Sequence, residues 1–154
     1  CSKLNNKCIT CFPRNPRGIA KGDLTYLCAV SFDKQGKATP IIVGRARTKG
    51  FDKDNILSDL QLQKLPWLVN YPYYCELYDI EILDTEVKNG ISLNNLIKEL
   101  GNDLYPGSIG KSLSLQELSC RHYQKSHIRI TNIANNFIDH KFNDLKRKYG
   151  IRNE

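Results

Sequence analysis

The sequence predicts an α+β domain, a small mixed or antiparallel β-barrel with peripheral helices. Its elements follow the order β-β, loop, β, α, loop, β, α. The strands lack the regular crossover helices that a parallel, doubly wound sheet requires. A length of 154 residues suits one domain with a proper core and is short for two. We therefore expect an N-terminal arm or loop over residues 1–17 and a single domain over residues 18–154.

The first elements after the arm read as a β-hairpin. Proline, glycine and closely spaced cysteines without periodicity predict a loop before it. Leu24–Phe32 is rich in aromatic and β-branched residues and predicts a buried strand. Pro40–Ala46 repeats the pattern after a short polar turn, so the two runs predict a hairpin. Gly44 within the second run indicates a bulge or a close backbone approach.

The middle of the chain combines a weak helical pattern, a strand and a well-marked helix. Lys53–Lys64 carries leucines at mixed spacing before a proline, which suits a short helical turn. Tyr73–Leu83 alternates like a strand. Ser92 is a good N-cap for a helix over Leu93–Leu100, which Gly101 ends.

Two helical segments and one strand are expected at the C-terminal end. Ser114–Cys120 predicts a helical turn, and His127–Thr131 alternates like a strand. Thr131 can cap a helix through Tyr149. The apolar residues expected on the inner side of that helix are Ile133, Phe137, Ile138, Phe142, Leu145 and Tyr149.

Composition points to an anionic partner and away from a membrane. The formal net charge is +7, from 23 Lys and Arg against 16 Asp and Glu. No apolar run approaches the roughly 18 residues that a bilayer span needs, and no signal-peptide or lipidation pattern is found, so we expect a cytoplasmic protein. Six cysteines would permit three disulfides, but a cytosolic chain favours reduced thiols. The absence of methionine suggests a piece of a larger protein.

Three short motifs point to a known superfamily. Lys21-Gly22-Asp23 enters a strand, Val43–Ala46 leads to Gly50-Phe51, and Tyr71-Pro72-Tyr73-Tyr74 opens another strand. Together they resemble the PUA-like superfamily, especially its EVE branch, with YTH and ASCH domains as relatives, over roughly residues 18–140. The resemblance implies a small β-barrel with flanking helices that reads RNA or DNA, often by taking one modified base into an aromatic-lined pocket.

The candidate base-binding residues are aromatic rings close in sequence. Stacking on an aromatic face is worth about 1–3 kcal/mol per base, which can offset the cost of flipping a base. Core packing is the alternative role for strand tyrosines and for a single tryptophan. The predicted ring residues are Trp67, Tyr71, Tyr73, Tyr74 and Phe51.

The candidate phosphate-binding residues form a row and a cluster. Arg45 and Arg47 alternate along the second strand, and Lys49 continues the row, so the three share one face. A solvated face is the alternative for this row. The basic run Lys141–Arg152 on the last helix is a third cluster, and a solvated face is the alternative there as well. The second cluster, near the last predicted strand, comprises Arg121, Lys125 and Arg129, with His122 and His127.

Metal and nuclease chemistry remain as alternatives. Cys8 and Cys11 have the spacing of half a zinc site, and Cys120 and His122 could complete it, but a matching second CxxC is absent. We therefore predict no metal and no cofactor. Glu86-Val87-Lys88 has the ExK spacing of metal-dependent nucleases, with Asp79 or Asp84 as companions. A polar turn explains this segment better, because the acids lie too close in sequence.

The function predicted is that of a nucleic-acid-binding module that reads a flipped base, whether modified or not. Its partners would be DNA or RNA and further domains of a larger chain, such as a modification-dependent restriction system, with no membrane. The alternatives are a metal-dependent nuclease or ASCH-like hydrolase, and a protein-interaction domain.

Overall fold

The computed structural model describes residues 2–32, 34–123 and 127–152, and for residues 2 and 120–123 it describes the backbone alone. Six strands and four α-helices occur within these ranges. The strands are β1 (Ser2–Leu4), β2 (Lys7–Phe12), β3 (Lys21–Phe32), β4 (Ala38–Lys49), β5 (Tyr73–Ile82) and β6 (Ile91–Ser92). The helices are α1 (Asp59–Lys64), α2 (Leu93–Leu100), α3 (Leu115–Tyr123) and α4 (Asn132–Tyr149). Short 3₁₀ turns lie at Pro66–Leu68, Val87–Asn89, Gly101–Asp103 and Pro106–Ser108.

The strands form one sheet whose hydrogen-bonded neighbours follow the order β1-β2-β5-β4-β3, with β6 paired to β4. β1 with β2, β2 with β5 and β4 with β6 are antiparallel. This confirms the α+β class, and the adjacency of β3 and β4 confirms the predicted hairpin. The order ends at β1 and β3, and the described strands show an open sheet rather than a closed barrel.

The chain divides into two compact units. Unit 1 comprises Cys1–Thr25 and Arg45–Ile80, and unit 2 comprises Tyr26–Gly44 and Glu81–Glu154. The boundaries fall within β3, β4 and β5, so each of these strands contributes residues to both units.

Unit 1 has a small core between β2, the start of β5 and the segment that contains α1. A capping box begins α1, in which Ser58 and Gln61 exchange hydrogen bonds between side chain and backbone. The Leu57 amide donates to the Pro72 carbonyl at 2.8 Å, which ties this segment to the entrance of β5. The buried residues are Ile9, Leu57 and Leu68, and Leu4, Cys11, Leu62, Leu65 and Tyr74 pack against them.

Unit 2 has the larger core, built from α2, α3 and α4 against β6 and neighbouring strand residues. Its fully buried members include Leu96, Leu104, Leu118, Ile138 and Phe142. The predicted helix Leu93–Leu100 with its Ser92 cap is confirmed, since the Ser92 hydroxyl accepts from the Asn95 amide. The predicted cap and extent of α4 are also confirmed, since Thr131 accepts from the Ala134 amide at 3.0 Å.

Two glycines in unit 2 permit close packing. A Cβ on Gly44 would lie 2.7 Å from the Glu81 carbonyl oxygen, which confirms the close backbone approach expected there. A Cβ on Gly90 would overlap the Ile42 carbonyl oxygen and lie 2.7 Å from the Ile41 Cγ2 atom. At both positions any side chain would force the neighbouring strand to move.

Three predictions about secondary structure and burial in the first half of the chain are corrected. Residues expected to form a loop within 1–17 instead include β1 and β2, because β2 pairs with β5 from Ile9 to Phe12. β3 was expected to be buried, but none of its residues is fully buried. In β5 the expected alternation is interrupted at Asp79, whose φ of 48° is left-handed.

Two predictions in the second half are also wrong. The expected strand His127–Thr131 has no strand conformation. Its Ile128 and Ile130 pack against the core of unit 2, so their alternation reflects burial and not sheet pairing. Ile133 was placed on the inner side of α4, but it is 58% exposed, whereas the next residue, Ala134, is buried.

Candidate nucleic-acid interface

The predicted basic row lies on one face of β4. Gly44, Ala46 and Thr48 are buried, whereas the alternate residues Arg45, Arg47 and Lys49 are partly or fully exposed. Side chains of successive strand residues point to opposite faces, so the three cations share the outer face. This confirms the common face expected from their spacing.

The register of β2 and β5 shows which residues continue that face within unit 1. Lys7 of β2 and Lys49 of β4 both reach Glu76 of β5, at 2.7 Å to Oε1 and 2.8 Å to Oε2 respectively. Glu76 lies opposite Ile9 in the ladder, and Tyr74 lies opposite Cys11. Directly opposed residues share a face, so Lys7, Glu76 and Tyr74 lie on the side of the sheet that carries Lys49.

We call this side of unit 1 the basic face, defined by Lys7, Arg45, Arg47, Lys49 and Glu76. Hydrogen bonds from Lys49 and then from Lys7 hold the pKa of Glu76 below its ordinary value, so this carboxylate is charged at neutral pH. Two of the four cations, Lys7 and Lys49, contact this carboxylate.

Arg47 is anchored but keeps donors for a ligand. Its Nη1 atom donates to the Gly22 carbonyl at 2.8 Å, and its side chain is exposed. A guanidinium carries five N–H donors, so this hydrogen bond uses only part of its donor capacity. Tyr78 lies beside the same glycine, since a Cβ there would be 4.0 Å from the Tyr78 hydroxyl.

Trp67 and Tyr71 are the most exposed of the predicted base-binding rings. Trp67 is 64% exposed and Tyr71 is 44% exposed. Trp67 directly precedes Leu68, and Tyr71 follows Leu68 by three residues. Leu68 is buried with Ile9 and Leu57 on the side of the sheet that carries the basic face. Burial of Leu68 therefore fixes the 3₁₀ turn that presents the Trp67 ring to solvent.

The other three predicted rings are placed differently. Tyr74 is partly buried and packs into the small core of unit 1. Tyr73 lies opposite Phe12 in the ladder, so it points to the opposite side of the sheet from Tyr74. Phe51 contacts Tyr73 edge to face, with ring centroids 6.2 Å apart. The structure therefore places Tyr74 on one side of the sheet, and Phe51 with Tyr73 on the other.

Two members of the basic face were missed by sequence reasoning. Lys7 falls in the segment interpreted as a loop, and its place on the face depends on pairing with β5, 69 positions away in sequence. Glu76 was read only as a strand residue. The signal that could have found it is its position two residues after Tyr74, which places both side chains on one face.

The second predicted basic cluster is described only in part. Arg129 is exposed and belongs to unit 2. Lys125 lies outside the described residues, as does the side chain of Arg121. On α4, Lys141 pairs with Glu99 at 3.2 Å and Lys146 pairs with Glu81, so part of the basic C-terminal run is used within unit 2.

The alternative zinc ligands do not converge in the part of the site that the structure describes. Cys8 and Cys11 lie three residues apart on β2, which sends their side chains to opposite faces. Burial raises the pKa of Cys11 to about 11, which disfavours the thiolate that binds zinc. The side chains of Cys120 and His122 are outside the described residues, and no group of three or more potential ligands occurs among those described.

The ExK segment forms a surface turn. Lys88 pairs with Glu86 at 2.7 Å, and both side chains are exposed. Glu86 precedes the 3₁₀ turn Val87–Asn89, and Lys88 lies within it. Asp84 lies 3.6 Å from Arg152. These carboxylates are therefore engaged with cations of their own chain, as expected for a polar turn.

Comparisons with other proteins add no relative. The chain matches no protein-family model, no curated protein and no solved structure. Among the helices that the structure describes, none has the length and apolar character needed to span a membrane.

Proposed function

We propose that this chain is a nucleic-acid-binding module that uses the basic face of unit 1. Arg45, Arg47, Lys49 and Lys7 contact phosphates, and Trp67 stacks on a base. The observation that carries the proposal is the placement of a cationic strand face and an exposed tryptophan on one side of the same sheet. Single-stranded nucleic acid fits this pair best, because its bases are free to stack on an exposed ring.

Flipping of a modified base, as the PUA-like resemblance implies, is the finer part of the proposal. Trp67 and Tyr71 are exposed rings four residues apart, and Tyr74 lies on the side of the sheet that carries the basic face. A base removed from a duplex could meet these rings while its flanking phosphates meet the basic face. This part predicts a preference between methylated and unmethylated oligonucleotides, whereas simple stacking predicts none.

Trp67 provides a direct test because it is the only tryptophan in the chain. Stacking of a base on an exposed indole should quench its fluorescence during titration with a short single-stranded oligonucleotide. Anisotropy of a labelled oligonucleotide gives affinity in parallel, with single-stranded and duplex DNA and RNA, with and without methylated bases. Trp67→Ala should weaken binding by about 5- to 150-fold, the equivalent of about 1–3 kcal/mol.

Matched variants separate the phosphate contacts from the general charge. Arg47→Gln should weaken binding to every sequence and reduce the slope of log affinity against log salt by about 0.7 for a single strand. Lys111→Gln removes one exposed cation from a loop of unit 2 and should leave the slope unchanged. If no oligonucleotide binds more tightly than micromolar at low salt, the proposal is wrong.

A protein-interaction role is the second candidate, since several apolar side chains around α1 are exposed. They include Ile56, Leu60, Trp67, Val69 and Tyr71. Contiguous exposed apolar surface is typical of protein contacts. Negligible nucleic-acid affinity at physiological salt would favour this candidate over the first.

A further inference from the structure

Glu76 is the acidic member of the basic face, and it lies close to the segment that carries Trp67. Ile9 lies directly opposite Glu76 in the ladder of β2 and β5, so the two side chains share a face. Ile9 is also buried in one cluster with Leu68, the residue that follows Trp67. One buried residue therefore links Glu76 to the turn that presents the exposed tryptophan.

The Glu76 carboxylate keeps acceptor capacity after it pairs with two lysines. Lys7 donates to its Oε1 atom at 2.7 Å, and Lys49 donates to its Oε2 atom at 2.8 Å. Each carboxylate oxygen has two lone pairs and each ammonium has three N–H donors, so all three groups have further capacity for a ligand. Both lysine side chains are more than half exposed, and the Glu76 side chain is 20% exposed. A ligand thus meets two adjacent acceptors with a donor beside each.

We propose that Glu76, together with Lys7 and Lys49, reads the Watson–Crick edge of a guanine, a specificity that rests on the nucleic-acid-binding function proposed above. The N1–H and N2–H groups of guanine are adjacent and point the same way, so they donate to the two oxygens of one carboxylate. The O6 atom of guanine then accepts from the ammonium beside the oxygen that takes N1–H. Because a lysine pairs with each oxygen, an ammonium lies beside whichever oxygen takes N1–H.

The other bases present a lone pair where guanine presents its second donor. Adenine donates from N6, cytosine from N4, and thymine or uracil from N3. The neighbouring ring nitrogen or carbonyl oxygen of each then faces the second oxygen of Glu76, which leaves two acceptors opposed. A bidentate contact discriminates against the wrong base by about 5- to 150-fold. This edge is free in single strands and in flipped bases, so the preference applies to them and not to an intact duplex.

Fluorescence anisotropy tests the preference with short single strands in which thymine alternates with guanine, adenine, cytosine or further thymine. The wild type should bind the guanine strand at least about fivefold more tightly than each of the others. Glu76→Gln replaces one acceptor oxygen by an NH₂ donor, so the preference should disappear, while strands without guanine bind more tightly because Lys7 and Lys49 are released. Glu99→Gln removes the same charge from the Lys141 pair in unit 2 and should keep the preference.

Base analogues test the wild type without any substitution. Inosine lacks the N2 amino group and should bind less tightly than guanine, whereas 7-deazaguanine keeps the whole Watson–Crick edge and should bind like guanine. Equal affinity for the four strands overturns the guanine assignment and leaves the nucleic-acid-binding function standing. A preference that survives Glu76→Gln, or that is lost with 7-deazaguanine, has the same consequence, since the N7 edge is then read by another group. Failure of every strand to bind overturns both proposals.

Discussion

Replacing Glu76 by glutamine should increase affinity for nucleic acid. Glu76 holds the ammonium groups of Lys7 and Lys49 at 2.7 and 2.8 Å, so it occupies two cations that the proposed interface would offer to phosphates. Glutamine keeps the shape of the side chain but removes its charge. Lys7 and Lys49 then lose the carboxylate that they share.

The expected gain can be estimated from each released cation. An ammonium about 4 Å from a phosphate in water is worth about 1 kcal/mol, which is about fivefold in affinity. Each additional phosphate contact steepens the dependence of log affinity on log salt by about 0.7 for a single strand. Release of one or both lysines should therefore tighten binding by about 5- to 25-fold at low salt and steepen the slope by about 0.7 to 1.4.

Fluorescence anisotropy over a salt series from about 50 to 200 mM measures both quantities, since the electrostatic part changes strongly in this range. Glu99→Gln is the matched control, because it removes the same charge from an exposed lysine pair, with Lys141 in unit 2. Equal tightening by both substitutions would show that net charge alone matters. That result, or an unchanged slope in Glu76→Gln, would refute the placement of phosphates on the basic face.

Three further predictions concern stability. Gly90→Ala should lower the free energy of unfolding by about 3 kcal/mol and the Tm by about 6–12 °C, because the new Cβ meets the Ile42 carbonyl oxygen. Gly110→Ala is the control, since open space surrounds that position and only its positive φ should cost about 1 kcal/mol. Equal losses of Tm in the two variants would contradict this prediction. Thr131→Ala should cost about 1–2 kcal/mol in urea unfolding through loss of the α4 cap, with recovery in Thr131→Ser; an unchanged midpoint would show that the cap is dispensable. The folded-state pKa of Glu76 lies below its ordinary 4.5, so its pairs stabilise the fold fully above pH 4.5 and lose that effect as the pH falls through the lowered pKa. Wild type should exceed Glu76→Gln in stability by at most about 1 kcal/mol above pH 4.5, with the gap closing at lower pH; a gap that widens in acid would contradict the assignment.

Elements with local signals were predicted from the sequence almost to the residue. Ser92 and Gly101 bound α2 because a cap and a left-handed glycine act on their own helix, independent of the rest of the chain. The strand predicted at 127–131 fails for the opposite reason. Period-two alternation records which side chains pack inward, and here Ile128 and Ile130 are partly buried against the core of unit 2 without strand conformation.

The candidate site was half predictable for the same physical reason. Arg45, Arg47 and Lys49 lie on one strand, so alternation alone places them together. Lys7 joins them only through the antiparallel register of β2 and β5, which no local pattern in a cysteine-rich segment reveals. The register also separates Tyr73 from Tyr74 across the sheet. Trp67 is the ring that can be tested independently of the core, because its indole is 64% exposed whereas the next residue, Leu68, is buried.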